Sequence, residues 1–261
     1  MLKILAHMSV VLLKKLNKMK VSVIIPCYNF EDYIEQSILS AVSQKTNFEF
    51  EILVRDDMST DNSQICIERV SIFNDSVKYF KAEENLGAGD NIKFLTEQAK
   101  GEYIAYLDGD DYWTDVYKLQ KQIDFLDSNP DYIMSFTGYW MRDGKDYSPD
   151  LPDQWLCLSN FENNEVKTEQ LLSGNWVSFG RVFRRTPDLF KDWMMDAFYF
   201  DWVTNFELSK FGRIKYLNFP SGVYRVHNNG IFSKMDGNTK NQKSVEQKSI
   251  LLNNYNNWKN Q

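Results

Sequence analysis

Cysteine is scarce: the 261 residues hold three, Cys27, Cys66 and Cys157, an odd number at wide spacing. That excludes a disulfide framework and a cysteine-built zinc pattern, and it suits a reducing cytoplasm. Apolar runs are all too short to read as a membrane span. No basic stripe marks the main body and net charge is −6, so no nucleic-acid partner is expected. No glycine occupies the turn after the first predicted strand, which reads Pro26-Cys27-Tyr28-Asn29 and so excludes the dinucleotide fingerprint G-x-G-x-x-G. A nucleotidyltransferase would want a glycine- and basic-rich loop there, and an aspartyl-nucleophile phosphatase would want paired acids there. Neither is present. Internal repeats and a sharp interdomain linker are also missing. What is there is globular, with 43% hydrophobic and 25% charged residues, so disorder is not the default.

Residues 1–19 stand apart. Their lysines, with Lys20, are the only charged side chains in the first twenty apart from any charge on His7, and removing those five takes the remainder from −6 to −11. Ile4/Leu5, Met8, Val11/Leu12, Leu16 and Met19 fall at a helical period. A basic amphipathic helix of this kind lies on an anionic membrane surface, here the inner face of a cytoplasmic membrane. The alternative is an upstream extension, because Met19-Lys20 directly precedes the first strand and could be the natural start.

From residue 20 to 130 the pattern alternates strand and helix. Strands are predicted over 21–26, 48–54, 77–80 and 103–107, and helices over 31–44, from a cap at Ser59-Thr60-Asp61 to about 70, over 91–99 and over 116–126. Such alternation predicts a mostly parallel α/β sheet flanked by helices. Ligands in such sheets bind beyond the carboxyl ends of the strands. Four polar clusters fall there: Cys27-Tyr28-Asn29, Arg55-Asp56-Asp57, Glu83-Glu84-Asn85 and Asp108-Gly109-Asp110-Asp111. Residues 131–261 are less regular. A polar loop is expected over 143–153, helices over 165–172 and 201–210, short strands over 214–217 and 222–226, and an exposed helix with a frayed end over the last twenty-odd residues.

The acidic quartet carries the most chemistry. Three carboxylates in four positions repel one another unless a cation answers them. Mg²⁺ is typically held by one or two carboxylates together with substrate phosphates. A solvated acidic turn is the bland alternative, and a lone D-x-D favours it.

Taken together, VSVIIPCYN (21–29), VRDDMSTD (54–61), YIAYLDGDDYW (103–113) and YRVH (224–227) resemble the family-2 glycosyltransferases of the GT-A fold, strongest over 20–130 and most like bacterial enzymes of cell-surface polysaccharide or lipopolysaccharide synthesis. The resemblance implies a nucleotide-sugar-binding half over 20–130 and an acceptor-side half of the same domain over 131–261. Tyr28 would stack on the base with the Pro26 backbone lining its pocket, and Asp57 would accept the ring N–H, favouring a UDP-sugar. Asp108 would bind ribose or the metal shell, and Asp110 would ligate Mn²⁺ or Mg²⁺. His227 would sit near that metal and Arg225 would neutralise phosphate charge. Asp111 would cap the next turn. Asp201 would be the general base of an inverting transfer to a glycan or lipid-linked acceptor, lined by residues 175–184 with Trp176 stacking on a sugar. Met58 stands where the family usually has Gly, and Phe200 where it often has Glu. A non-catalytic nucleotide-sugar-binding subunit of a polysaccharide synthesis complex is the alternative reading.

Overall fold

A computed structural model describes residues 19–143, 156, 162–228, 230 and 233–260. The basic segment at 1–18, Cys157 and the polar loop beyond 143 lie outside the described residues. Four strands, β1 (Val21–Cys27), β2 (Phe50–Asp56), β3 (Val77–Lys81) and β4 (Tyr103–Tyr106), pair in parallel in the order β3-β2-β1-β4. Helices α1 (Ile34–Val42), α2 (Ser63–Ile72) and α3 (Ala88–Gln98) make the crossovers, and α4 (Lys118–Ser128) follows β4.

Alternation along β1 and β4 splits the core in two. Val21, Val23 and Ile25, with Tyr103 and Ala105, point to a face covered by α1, α2 and α4. Ile24, Ile104 and Tyr106 point to the other face, covered by α3 and by the helices of the second half. Both faces are therefore apolar, which is why the strands read as continuous runs.

Four more strands extend the sheet past β4: β5 (Tyr112–Trp113), β6 (Tyr132–Asp143), β8 (Val182–Arg184) and β9 (Arg213–Val226). The full order is β3-β2-β1-β4-β8-β6-β9-β5, with β7 (Glu165–Val166) on the side of β9. The two predicted strands at 214–217 and 222–226 are one strand, and its register against β6 slips beside Pro220. Proline donates nothing to a ladder, and a bulge accommodates it. The expected helix over 165–172 shrinks to α5 (Thr168–Leu171), because Glu165 and Val166 pair with β9 instead. The second half is completed by α6 (Asp192–Met195), α7 (Phe200–Leu208) and the long α8 (Gly237–Lys259).

The predicted cap of α2 also shifts. The helix starts at Ser63, whose N–H bonds the Asp61 carboxylate, whereas Ser59 and Thr60 tie to Asn29 across the rim.

Beneath β5, Lys118 is fully buried, its Nζ donating to Gln122 Oε1 at 2.7 Å and lying 4.2 Å from the Trp113 ring centroid. Burial pulls this ammonium down to about 7 against the opposing pull of Asp115. An unfolded lysine keeps its proton to about pH 10. Between pH 7 and 9 the unfolded chain therefore binds more protons, and stability rises with pH, by at most about 1.4 kcal/mol per pH unit. Urea unfolding at pH 7, 8 and 9 should show this rise, and Lys118→Met should flatten it.

Candidate functional site

The parallel half turns at β1: the chain runs outward to β2 and β3 on one side and returns to β4 on the other. β1 pairs with β2 as far as Cys27, but with β4 only as far as Ile24. The crevice opened between them is where ligands bind in open α/β sheets. Ile24 O accepts from Leu107 N, so Pro26, two residues on, faces the same side beyond the end of that ladder. Its missing N–H costs nothing there. A Cβ on Gly109 would stand 2.7 Å from Pro26 O, so only glycine lets the acidic loop seat this closely on β1.

On the rim, Tyr28 is exposed, with 43% of its surface open, at the end of β1. Asp57 is buried, and its two oxygens accept from Leu86 N at 3.2 Å and Gly87 N at 2.8 Å. Each carboxylate oxygen retains a lone pair for a further donor. Asp56 holds the loop by accepting from Ser59 N and the Ser59 hydroxyl. Met58 adopts the left-handed backbone (φ 63°) that glycine would take more cheaply. The turn is kept despite the substitution.

The quartet divides into three environments. Asp108 Oδ1 accepts from the Tyr106 hydroxyl at 2.7 Å, and its main-chain oxygen from Ser37 Oγ. Burial, then the neighbouring charge of Asp110, pushes the Asp108 carboxyl up to about 7, against the Arg181 guanidinium. Asp110 is partly exposed, and its Oδ2 meets His227 Nε2 at 3.0 Å. His227 is buried against the ring of Tyr33 at 4.5 Å. Asp111 does not cap the following turn. Its Oδ1 accepts from Arg225 N at 2.8 Å, which clamps β9 to the loop, and its buried Oδ2 finds no partner among the described residues. Burial, then Asp110 and Asp108, push its carboxyl well above the usual range.

Arg225 lies under the loop. Its guanidinium donates to Asp110 O and to Gln36 Oε1 and stacks on Tyr112, 4.4 Å from that ring centroid. The upward shift of two acids beside a third marks a crevice where further negative charge is unfavourable unless a cation joins it, although Arg225 lies beneath. Asp110 and His227 face one another there as an oxygen and a nitrogen donor, a set that fits Mn²⁺ or Mg²⁺ completed by phosphate oxygens. Among the described residues no cluster of three or more such donors occurs.

Asp201 lies in the first turn of α7, where the cap position belongs to Tyr199. It is close enough for its charge to raise both Tyr106 and Asp108. Arg181, buried and 4.1 Å from the Tyr106 ring centroid, lines a small cavity together with Asp201 and acts electrostatically on Asp108. The sequence does not point to Asn205, and it includes Arg181 only within the segment 175–184; a hydrogen bond between them joins them in the site. In the second half, Asn175 donates to Asp201 Oδ2 and also lines a cavity of about 160 Å³ with Tyr139, Trp176, Ser178, Phe179 and Tyr216.

The glycosyl transferase family 2 model matches residues 22–188. The chain is similar to the uncharacterized protein Rv1520 of Mycobacterium tuberculosis (strain ATCC 25618 / H37Rv), 29% identical over 214 residues that cover 81% of this chain and 60% of the relative. It is also similar to the UDP-Glc:alpha-D-GlcNAc-diphosphoundecaprenol beta-1,3-glucosyltransferase WfaP of Escherichia coli, 35% identical over 122 residues that cover 47% of each chain. The chain thus spans only part of the length of these relatives. Among solved structures it resembles S. aureus TarS 1-349 in complex with UDP-GlcNAc, with a TM-score of 0.62 and 24% identity over 84% of this chain and 62% of that one. It also resembles the mannosyltransferase PcManGT from Pyrobaculum calidifontis in complex with GDP-Man and Mn2+, with a TM-score of 0.58 and 18% identity over 81% and 58%. At these identities the likeness is one of fold, the GT-A arrangement of a mostly parallel sheet. The match over 22–188 takes in the rim from Tyr28 to the acidic quartet, and the chain belongs to glycosyl transferase family 2.

Proposed function

We propose that the chain is an inverting, metal-dependent hexosyltransferase that moves a sugar from a nucleoside-diphosphate donor, a UDP-sugar in our reading, to a hydroxyl of a glycan or lipid-linked acceptor in cell-surface polysaccharide synthesis. The observation that carries this reading is the Asp110–His227 pair at the β1/β4 crevice with Asp201 within electrostatic reach of Asp108. In this reading Tyr28 stacks on the base, the Pro26 backbone lines its pocket and Asp57 takes the ring N–H. Asp108 binds the ribose or the metal shell. Asp110 and His227 hold Mn²⁺ or Mg²⁺, which when bound offsets the negative charge of the departing diphosphate as a Lewis acid. Arg225 contributes positive charge from beneath the loop.

The acceptor oxygen attacks the anomeric carbon while its proton passes to the Asp201 carboxylate. The bond from that carbon to the diphosphate oxygen breaks, and the nucleoside diphosphate leaves with the electron pair. Attack opposite the leaving group inverts the anomeric configuration. The aromatic cavity beside Asn175 supports a site for the acceptor sugar, with Trp176 as a stacking face.

No helix among the described residues is long and apolar enough to cross a membrane. A lipid-linked acceptor would be met at the cytoplasmic face, with the lysines of residues 1–19 against anionic lipid.

Incubation with a panel of nucleotide sugars and Mn²⁺ or Mg²⁺ should release nucleoside diphosphate, most with a UDP-sugar. Tight nucleotide binding with no release from any donor would favour the non-catalytic binding subunit instead.

A further inference from the structure

Asp201 and Asn205 lie one turn apart on one face of α7. Asn175, from the loop before β8, bridges them. Its Nδ2 donates to Asp201 Oδ2 at 2.5 Å, and its Oδ1 accepts from Asn205 Nδ2 at 3.1 Å. A primary amide can sit either way round, so its direction must be imposed by neighbours that only donate or only accept. Two such neighbours act on Asn205. The Val177 carbonyl, which can only accept, takes its Nδ2 at 2.8 Å, and the Arg181 guanidinium, which can only donate, faces its Oδ1 at 3.4 Å. Asn205 and Arg181 are 0% and 4% exposed, so water does not compete for these groups. With Asn205 fixed, the Asn175 oxygen must face it, and the Asn175 NH₂ must face Asp201.

We propose that Asn175 and Asn205 are positioning residues for the base of the transfer reaction, an amide relay anchored on Arg181 that always presents Asp201 with a donor on Oδ2. This inference rests on the transferase reading above. A donor on one oxygen favours the charged carboxylate and fixes its plane. Oδ1, for which no protein donor is found among the described residues, is then the oxygen turned to the acceptor proton. The same guanidinium stacks on Tyr106, whose hydroxyl holds Asp108. One buried cation therefore sets the orientation of the base on one side and of the donor-side acid on the other.

The test uses three variants of the full chain: Asn175→Ala and Asn175→Asp at the partly exposed end, and Asn205→Leu at the buried end, which touches neither Asp201 nor substrate. Two readouts are taken, the pH–rate profile of transfer and a carboxyl ¹³C NMR titration of Asp201 without substrate. In Asn175→Asp the titration midpoint of Asp201 and the acidic limb of the rate profile should both move up by about one pH unit or more. Its kcat should fall at least about tenfold below pH 7, with donor KM held within about twofold because uniform binding is untouched. Asn175→Ala and Asn205→Leu should move in the same sense by less. An unchanged Asp201 titration in folded, active variants overturns the relay, even where rates fall. A folded wild-type chain that transfers no sugar overturns the transferase reading, whatever the titration shows.

Discussion

Asp201→Asn should lower kcat for sugar transfer by about 10²–10⁴-fold, the range a positioned general base contributes, while the Kd for UDP stays within about twofold of wild type. The substitution is nearly isosteric. The new Oδ1 can still accept from Asn175, and α7 keeps its packing, because the Asp201 side chain is not its cap. Only the ability to take a proton is lost. Donor binding should be untouched, since in our reading the base, ribose and diphosphate groups are recognised at the ends of β1, β2 and β4. The measurement pairs nucleoside diphosphate release with calorimetric titration of UDP. Full activity in this variant would show that another group accepts the proton. Loss of UDP affinity together with rate would make Asp201 part of the donor site.

Such separable roles could be read in the sequence only where position along a strand dictates position in space. β1 to β4 are continuous apolar runs between polar clusters, so the strand–helix alternation and the rim followed from local pattern, whereas the order of the strands in the sheet did not. Tyr28, Asp57, Asp108 and Asp110 owe their places to that rule alone. The second half obeys no such rule. β6 pairs with β9 about eighty residues on, through a register broken at Gly138 and Pro220, and no local period encodes a pairing at that separation. Arg181 and Asn205 enter the site through the same long-range packing. Arg225 shows the limit from the other side. Its place beside His227 was legible, but not its orientation: the guanidinium is drawn under the loop by Asp110 O and Gln36 and stacked on Tyr112. Asp111 likewise has its chemistry set by β9, which offers Arg225 N across the sheet.

Asp110→Asn should lose activity and gain stability together. Asp110 is the second cause, after burial, that drives both Asp108 and Asp111 toward their neutral forms. Neutralising it relieves that repulsion, so the metal-free protein should become more stable by about 1 kcal/mol, the scale on which functional sites trade stability for activity. Transfer should fall at least about 10²-fold, as expected on losing charge stabilisation of a leaving group, and half-saturation by Mn²⁺ should move to higher concentration. His227→Ala should cost less. Because both side chains face the same ion in our reading, the double variant should cost clearly less than the product of the two single losses. Differential scanning fluorimetry without metal, Mn²⁺ titration of transfer and the double-mutant cycle test the three parts. A solvated acidic turn makes the opposite forecast: Asp110→Asn would leave transfer and its Mn²⁺ dependence unchanged. A purely structural aspartate would lose stability and activity in parallel. The paired signs thus decide whether the acidic quartet exists for the fold or, at the fold's expense, for a cation.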